Sequence, residues 1–273
     1  MLGKLLKYDL KWCFKPLLVF YMLAIFFSII VRIVESFEQS LIILIIDKVC
    51  CGIVIAMLVN ILINCFMRNW ARFVKNIYKD EAYLTHTLPI SKSEIYLSKI
   101  LTAIITLLTS FVVVVICLAI SCLNKETYVM LKESLEQSAI YLNSSVFSLI
   151  LVMVITLFFE CLFMMMSGIL GLIIGHRSNN SKIIKSIIIG FAIYGLLSAI
   201  SLGILFMAGV INPEIMSLFN NVNVNSEGLK GMMLVGILVY AIYNVGIYYA
   251  GNKFLNKGCL LYTSPSPRDR SLS

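Results

Sequence analysis

Long apolar runs separated by polar connections dominate this chain, and their lengths predict helices that cross a membrane. A single spanning helix needs about 20 predominantly apolar residues. Six runs reach that length, and the segments between them carry most of the charged residues. We therefore predict six spans, at about residues 16–34, 48–66, 100–123, 147–174, 187–210 and 232–250.

The composition agrees with this pattern. Of the 273 residues, 60% are hydrophobic and 13% are charged, against about 45–50% and about 25% in soluble domains. A globule of this size cannot bury so much apolar side chain, so lipid must solvate it. The predicted fold class is therefore all-α, a polytopic membrane protein in contact with the lipid bilayer, and a soluble enzyme is excluded.

The net charge of +8 indicates membrane orientation rather than nucleic-acid binding, because the cationic residues lie at the ends of the apolar runs. Up to residue 258, one side of the six spans carries fifteen lysines and arginines, and the other carries five. Since loops rich in lysine and arginine stay in the cytoplasm, we expect the basic side to be cytoplasmic. Both termini then lie in the cytoplasm, as an even number of spans also requires.

The first fifteen residues have the pattern of an amphipathic helix. Four lysines recur at helical spacing on one side: Lys4, Lys7, Lys11 and Lys15. We predict an interfacial helix over residues 1–15, lying on the membrane with its lysines toward the headgroups. The alternative is an extension of the first span with flanking lysines. Asp9 falls on the apolar side of this segment, which indicates a contact with another part of the protein.

The connection between the second and third spans, residues 67–99, is far longer than a turn requires. It begins with a basic stretch of helical periodicity. Asp80 and Glu81 then place negative charge where a short helix can begin. Leu88 precedes Pro89 and is therefore disfavoured in a helix. Ser91 and Glu94 have the spacing of a capping box that starts the third span. We predict a short helix over residues 80–88, whose apolar side chains either fill a groove on a partner or rest on the bilayer.

Two segments resemble one family. DEAYLTHTLPISKSEIYLSKI, residues 80–100, is similar to the connection between the second and third spans of bacterial ABC-2-type transporter permeases. MLGKLLKYDLKW, residues 1–12, resembles their N-terminal interfacial helix. In that family the connection contains a coupling helix that docks on a separate ATP-binding subunit. The resemblance implies that role for eight residues: Asp80, Glu81, Tyr83, Leu84, Thr85, His86, Thr87 and Leu88.

The resemblance implies a permease subunit of an ABC transporter in the bacterial cytoplasmic membrane. Export is the favoured direction of transport, and the substrate is unidentified. ATP would bind the partner subunit, and this chain would carry no cofactor and no catalytic residue. Its partners would be an ABC ATP-binding subunit and a second permease subunit, either an identical copy or a sibling. The alternatives are an ATP-independent channel or secondary transporter and an accessory membrane protein. The chain contains no G-x-x-x-x-G-K-[ST] motif with which it could bind ATP itself.

Polar side chains inside the apolar runs are candidates for a transport path, because such groups are costly within a bilayer. The alternative is that they form structural hydrogen bonds between helices. A weakly polar stripe also follows the third span: Thr102, Thr106, Thr109 and Ser110. The principal candidates lie in the second, fourth and sixth spans: Asn60, Asn64, Glu160 and Asn244.

Two shorter patterns in the fourth span and its end lead to structural expectations. Gly171 and Gly175 form a GxxxG motif, which either marks a close helix crossing or occurs there by chance. His176 follows at the end of the span, and we expect it to be solvated. The eight cysteines contain no CxxC pair, and most lie in or beside apolar runs, so neither a disulfide framework nor a zinc site is indicated.

The last fifteen residues, 259–273, depart from the rest of the chain in composition. They are rich in serine, proline and arginine, and CLLYTSPSPRD, residues 259–269, resembles the translated end of a sequencing adapter. We hypothesise that this tail is non-native, the alternative being a natural disordered tail. The chain then divides into an interfacial helix (1–15), a six-span domain (16–258) and this tail.

Overall fold

The computed structural model describes residues 2–37, 40–79, 81–87, 89–122, 125–178, 181–219 and 226–257. These residues contain helices and the turns between them, and no strand. The helices are α1 (Leu2–Glu35), α2 (Leu41–Tyr78), α3 (Ala82–Thr87), α4 (Lys92–Cys122), α5 (Lys125–Tyr141), α6 (Val146–Gly175), α7 (Lys182–Ile211), α8 (Pro213–Phe219) and α9 (Ser226–Lys257).

Six of these helices are long and apolar enough to cross a membrane: α1, α2, α4, α6, α7 and α9. The prediction of an all-α protein with six spans is therefore confirmed. The helices extend well beyond the apolar runs. The 38 residues of α2 reach roughly 57 Å at about 1.5 Å per residue, nearly twice the hydrocarbon core of about 30 Å. The basic stretch after residue 67 thus continues the second span as one helix.

The N-terminal segment is the first part of α1 and is continuous with the span. Pro16 lies inside the helix without ending it. The buried residues of α1 recur at helical spacing along the helix and so lie on one face: Asp9, Cys13, Leu17, Tyr21, Ala24, Ser28 and Val31. Because residues 2–15 bury the same face as the span that follows, the arrangement matches the alternative of an extended first span. All four lysines of the segment are exposed, as the periodicity predicts.

The long helices alternate in direction, so that three N-termini and three C-termini meet at one end of the bundle. Here α1, α4 and α7 begin, and α2, α6 and α9 end. Contacts between these ends connect them, among them Arg177 Nη2 to the carbonyl oxygen of Phe254 at 2.7 Å and Asn256 Nδ2 to Ser93 Oγ at 3.0 Å. We call this the basic end, since it holds the larger group of lysines and arginines.

Helices α1, α2 and α4 form one packed group, and α6, α7 and α9 form the other. The GxxxG motif lies at the crossing of α6 and α7. A Cβ atom added to Gly171 would lie 2.5 Å from Gly190 Cα, and one added to Gly175 would collide with Ser186. The close helix crossing is therefore confirmed, because no larger side chain fits at either glycine.

The opposite end carries α5 and α8. The 17-residue α5 lies between the third and fourth predicted spans, and α8 packs between α7 and α9. The proposed non-native tail, residues 259–273, lies outside the described residues.

Candidate functional site

A short helix projects from the basic end in the position that the sequence predicts. Helix α3 has six residues and buries Ala82 and Thr85 against the bundle. Tyr83 is 73% exposed and Leu84 is 66% exposed. We call these two side chains the apolar knob. A tyrosine and a leucine held together outside the bundle form a small hydrophobic surface suited to a partner or to the membrane surface.

Six of the eight residues predicted for partner binding are described, and they lie in α3 or directly before it. Thr85 Oγ1 donates to the carbonyl oxygen of Glu81 at 2.9 Å, and Thr87 Oγ1 donates to that of Leu84 at 3.0 Å. His86 lies within the helix, while Asp80 and Leu88 lie outside the described residues. Both threonine hydroxyls therefore donate to local backbone carbonyls; Thr85 is buried, and Thr87 is exposed.

The following span begins with the predicted capping box. Ser91 N donates to Glu94 Oε2 at 3.1 Å, and Glu94 N donates to Ser91 Oγ at 3.2 Å. This reciprocal pair satisfies two backbone donors that have no partner within the helix. The cap fixes where α4 begins, and so limits the path of the chain between α3 and α4.

Glu81 connects the base of α3 to α2. Its Oε2 accepts from Arg72 Nη1 at 2.7 Å and from Asn76 Nδ2 at 2.6 Å, and Lys75 Nζ lies 3.1 Å from Oε1. Partial burial raises the pKa of the Glu81 carboxyl, but the hydrogen bond and charge of Lys75 and the charge of Arg72 outweigh it and lower the pKa below its ordinary value. The carboxylate is thus ionised at neutral pH and connects α3 to three side chains of α2.

A second carboxylate, that of Asp9, shares Arg72 with Glu81. Asp9 is only 1% exposed. Its Oδ1 accepts from Arg72 Nε at 2.9 Å and from Lys99 Nζ at 2.6 Å, while Oδ2 accepts from Ser98 Oγ at 3.0 Å. Lys99, itself 4% exposed, also donates to Asn76 Oδ1 at 2.5 Å. Both charges of this buried pair therefore have further hydrogen-bond partners.

These residues form one connected set, which we call the charge cluster: Asp9, Arg72, Asn76, Glu81, Ser98 and Lys99. It joins α1, α2 and α4 to the residue immediately before α3. Trp12 extends it, since the Arg72 guanidinium lies 5.4 Å from the centre of the indole ring. A buried ion pair is costly to break by removing one partner, because the other charge remains desolvated. The cluster therefore ties the apolar knob to three membrane helices.

The sequence indicated only part of this arrangement. The contact expected at Asp9 is confirmed. The pattern of lysines and arginines assigns Arg72 no role beyond membrane orientation, and it singles out neither Lys99 nor Asn76. The available signal for Lys99 was a lysine one residue before an apolar run. Nothing local, however, specified that Asp9, 90 positions earlier, would face it.

The polar stripe of the third span makes structural hydrogen bonds between helices. Asn69 Nδ2 of α2 donates to Thr106 Oγ1 at 2.9 Å. Tyr21 Oη of α1 lies 2.8 Å from Ser110 Oγ. Thr106 and Ser110 are fully buried. Thr106 and Ser110 thus connect α4 to α2 and α1, as the structural alternative expects. Thr102 and Thr109 instead donate to carbonyl oxygens within α4.

The four intramembrane candidates do not form one site. Asn64 Nδ2 donates to Asn60 Oδ1 at 2.7 Å within α2. Asn244 Nδ2 of α9 donates to the carbonyl oxygen of Phe159 in α6 at 3.1 Å. Glu160, the next residue, is half-buried, and its carboxylate makes no hydrogen bond or ion pair with another described residue. Asn60 and Asn64 are therefore bonded to each other within α2, and Asn244 connects α9 to α6.

His176 is half-buried, so it is less solvated than the sequence suggests. Its ring stacks on Tyr78 with centroids 4.3 Å apart, and Nδ1 lies 2.9 Å from the carbonyl oxygen of Leu172. Desolvation lowers the pKa of the imidazole. The hydrogen bond to Leu172 opposes this in part, and the charges of Lys182 and Lys79 lower the pKa further. The expectation failed because the extension of α2 brings Tyr78 over the end of α6.

The described cysteines are free thiols: Cys13, Cys50, Cys51, Cys65, Cys117 and Cys161. Within the described ranges, no group of histidine, cysteine and acidic side chains is arranged to hold a metal ion.

Comparison with known proteins adds no identification: the chain matches no family model, and neither a curated protein nor a solved structure is significantly similar to it.

Proposed function

We propose that this chain is the permease subunit of a bacterial ABC transporter, driven by ATP hydrolysis on a separate subunit. The observation that supports this most is the connection between the apolar knob and the charge cluster. Tyr83 and Leu84 offer an exposed docking surface, while Glu81, one residue before α3, is hydrogen-bonded to α2. Such an arrangement transmits a push on the knob to the membrane helices.

The orientation belongs to the same proposal. The basic end faces the cytoplasm, because the lysine and arginine excess lies there. The knob then projects into the compartment that contains ATP. Export is the proposed direction, and the substrate is left open. A second permease subunit, identical or a sibling, completes the transporter.

Mechanically, the ATP-binding subunit would hold Tyr83 and Leu84 in a groove. Movement of that subunit would displace α3, and Glu81 would carry the displacement to Arg72 and Asn76. Asp9 and Lys99 share these partners, so α1, α2 and α4 would respond together. This group would then move relative to α6, α7 and α9 and open the path on alternate sides.

The test is purification of the chain from its native membrane in mild detergent, with detection of any bound P-loop protein and of ATP hydrolysis. The double variant Tyr83→Ala, Leu84→Ala removes the knob without touching the charge cluster. We expect a P-loop subunit and ATPase activity with the natural side chains, and loss of both in the variant.

The matched control is Tyr128→Ala, Met130→Ala. These side chains are also a tyrosine and an apolar residue, exposed to similar extents on α5 at the opposite end. The control is expected to keep the partner. Retention of the partner without the knob would contradict the proposed docking surface. Ion or solute flux through the purified chain alone, without ATP, would instead favour a channel or secondary transporter.

A further inference from the structure

A groove follows the junction of α2, α6 and α7 from the basic end toward the middle of the bundle. Its outer part has a volume of about 460 Å³, and the residues that line it include Trp12, Lys75, Lys79 and His176. Its inner part, about 140 Å³, lies beside Trp70, Gly168 and Phe191. Trp70 and Leu172 line both parts, so the two are adjacent.

Trp70 shapes the inner part. Its Nε1 donates to the carbonyl oxygen of Met165 at 3.1 Å, so the polar atom of the indole is satisfied and the ring presents carbon to the groove. A Cβ atom at Gly168 would collide with this ring. Phe191 and Ile187 form the outer edge and are 67% and 52% exposed. The inner groove is consequently apolar and open toward the side of the bundle.

The groove is about one leaflet deep. From Met164 to His176 the backbone of α6 rises roughly 18 Å at about 1.5 Å per residue. Half of the hydrocarbon core is about 15 Å thick. A chain that enters at the basic end and follows α6 would therefore end near the middle of the membrane.

The outer part of the groove adds two lysines to a mostly apolar lining. Lys79 is exposed and makes no ion pair with another described residue. Lys75 is 42% exposed and contacts Glu81 through one of its three possible hydrogen bonds. Trp12 lies beside them, and tryptophan favours the boundary between headgroups and hydrocarbon. Cations above an apolar trench complement a molecule with an anionic head and a hydrocarbon tail.

We propose that this groove binds one anionic phospholipid of the leaflet at the basic end. Its phosphate lies between Lys75 and Lys79, and one acyl chain follows Trp70, Leu172 and Gly168. The site does not depend on the proposed transporter function. It does touch the charge cluster, because Lys75 contacts both the lipid phosphate and Glu81.

Intrinsic fluorescence gives a direct test. The chain has two tryptophans, Trp12 and Trp70, and both line the groove. The full chain is reconstituted in phosphatidylcholine vesicles that contain a small fraction of lipid brominated on its acyl chains, which quenches tryptophan nearby. We expect brominated phosphatidylglycerol to quench more strongly than brominated phosphatidylcholine at equal mole fraction. Lys79→Gln should weaken the apparent affinity for phosphatidylglycerol about fivefold, and Lys75→Gln, Lys79→Gln should abolish the preference.

The control is Lys253→Gln, which removes an exposed lysine of the basic end that does not line the groove. It should keep the full preference. Added glycerol phosphate should not displace the lipid, since the acyl chain contributes to binding. Equal quenching by the two lipids would overturn the proposal. So would a loss of preference in Lys253→Gln as large as that in Lys79→Gln, or displacement of the lipid by glycerol phosphate. Cross-linking of a second copy through position 191, with no quenching by either lipid, would show that another chain fills the groove and would also overturn it.

Discussion

Asp9 and Lys99 form a buried ion pair across α1 and α4, with Lys99 Nζ 2.6 Å from Asp9 Oδ1. Arg72 of α2 shares the same carboxylate oxygen and extends the contact to Glu81 beside the knob. Arg72 and Lys99 thus meet Asp9 and Glu81, so these four side chains are balanced in charge. The more exposed Lys75 adds a further cation at Glu81. This balance explains how a lysine and an aspartate can remain almost inaccessible at the start of two membrane helices.

Asp9→Asn should destabilise the protein strongly. The substitution leaves Arg72 and Lys99 buried with one carboxylate fewer, and breaking a buried pair in this way costs about 3–5 kcal/mol. The measurement is the unfolding midpoint of the detergent-solubilised chain. The matched control is Lys11→Gln, two residues away on the exposed face of α1, which should leave the midpoint nearly unchanged.

A second variant separates charge balance from packing. In Asp9→Asn, Lys99→Met both partners of the ion pair are removed, so the remaining charges are again balanced. We expect it to recover part of the lost stability. A single Asp9→Asn variant as stable as the natural chain would show that the ion pair makes no net contribution.

Gly171→Val should separate α6 from α7. The added Cβ would lie 2.5 Å from both Gly190 Cα and Gly190 N, and backbone atoms cannot move aside as a flexible side chain can. Overpacking of this kind costs about 1–3 kcal/mol. Gly195→Val on α7 is the control, because nothing lies within 4 Å of a Cβ added there. Equal unfolding midpoints for the two variants would be inconsistent with the close crossing.

Glu81→Gln should loosen α3 without unfolding the bundle. Glutamine keeps an acceptor for Asn76 but loses the charge that pairs with Arg72 and Lys75. Hydrogen exchange of the peptide covering residues 79–90 should accelerate in this variant, while exchange in α6 should not change. Tyr83→Ala serves as the comparison, since its side chain is exposed and its loss should leave exchange as it was.

The same contact predicts a pH dependence. The pKa of Glu81 is lowered in the folded protein from a reference value of 4.5. A lowered pKa means that the carboxylate contributes stability above the reference value, and that this contribution disappears as the pH falls through the folded value. The protection factors of residues 79–90, which are exchange rates corrected for the intrinsic pH dependence of amide exchange, should therefore fall on acidification below about pH 4.5. The Glu81→Gln variant should lack this step.

The helices were predictable because lipid imposes long apolar runs, and because caps such as the Ser91–Glu94 pair are local. Asp9 could be singled out, since a charge on an apolar face requires a partner. The partner itself was not predictable, because Lys99 and Asp9 are brought together only by the packing of α1 on α4. His176 illustrates the same limit: its stack on Tyr78 depends on how far α2 continues beyond its apolar run.

The most direct test of the account is site-specific photo-cross-linking from the knob in the native membrane. A photoreactive phenylalanine analogue replaces Tyr83, and in a separate variant it replaces Tyr128 on α5. We predict a cross-linked product between position 83 and a P-loop ATPase, identified by mass spectrometry, and none from position 128. If position 83 labels only lipid, the knob rests on the bilayer, and the proposed coupling to an ATP-binding subunit is wrong.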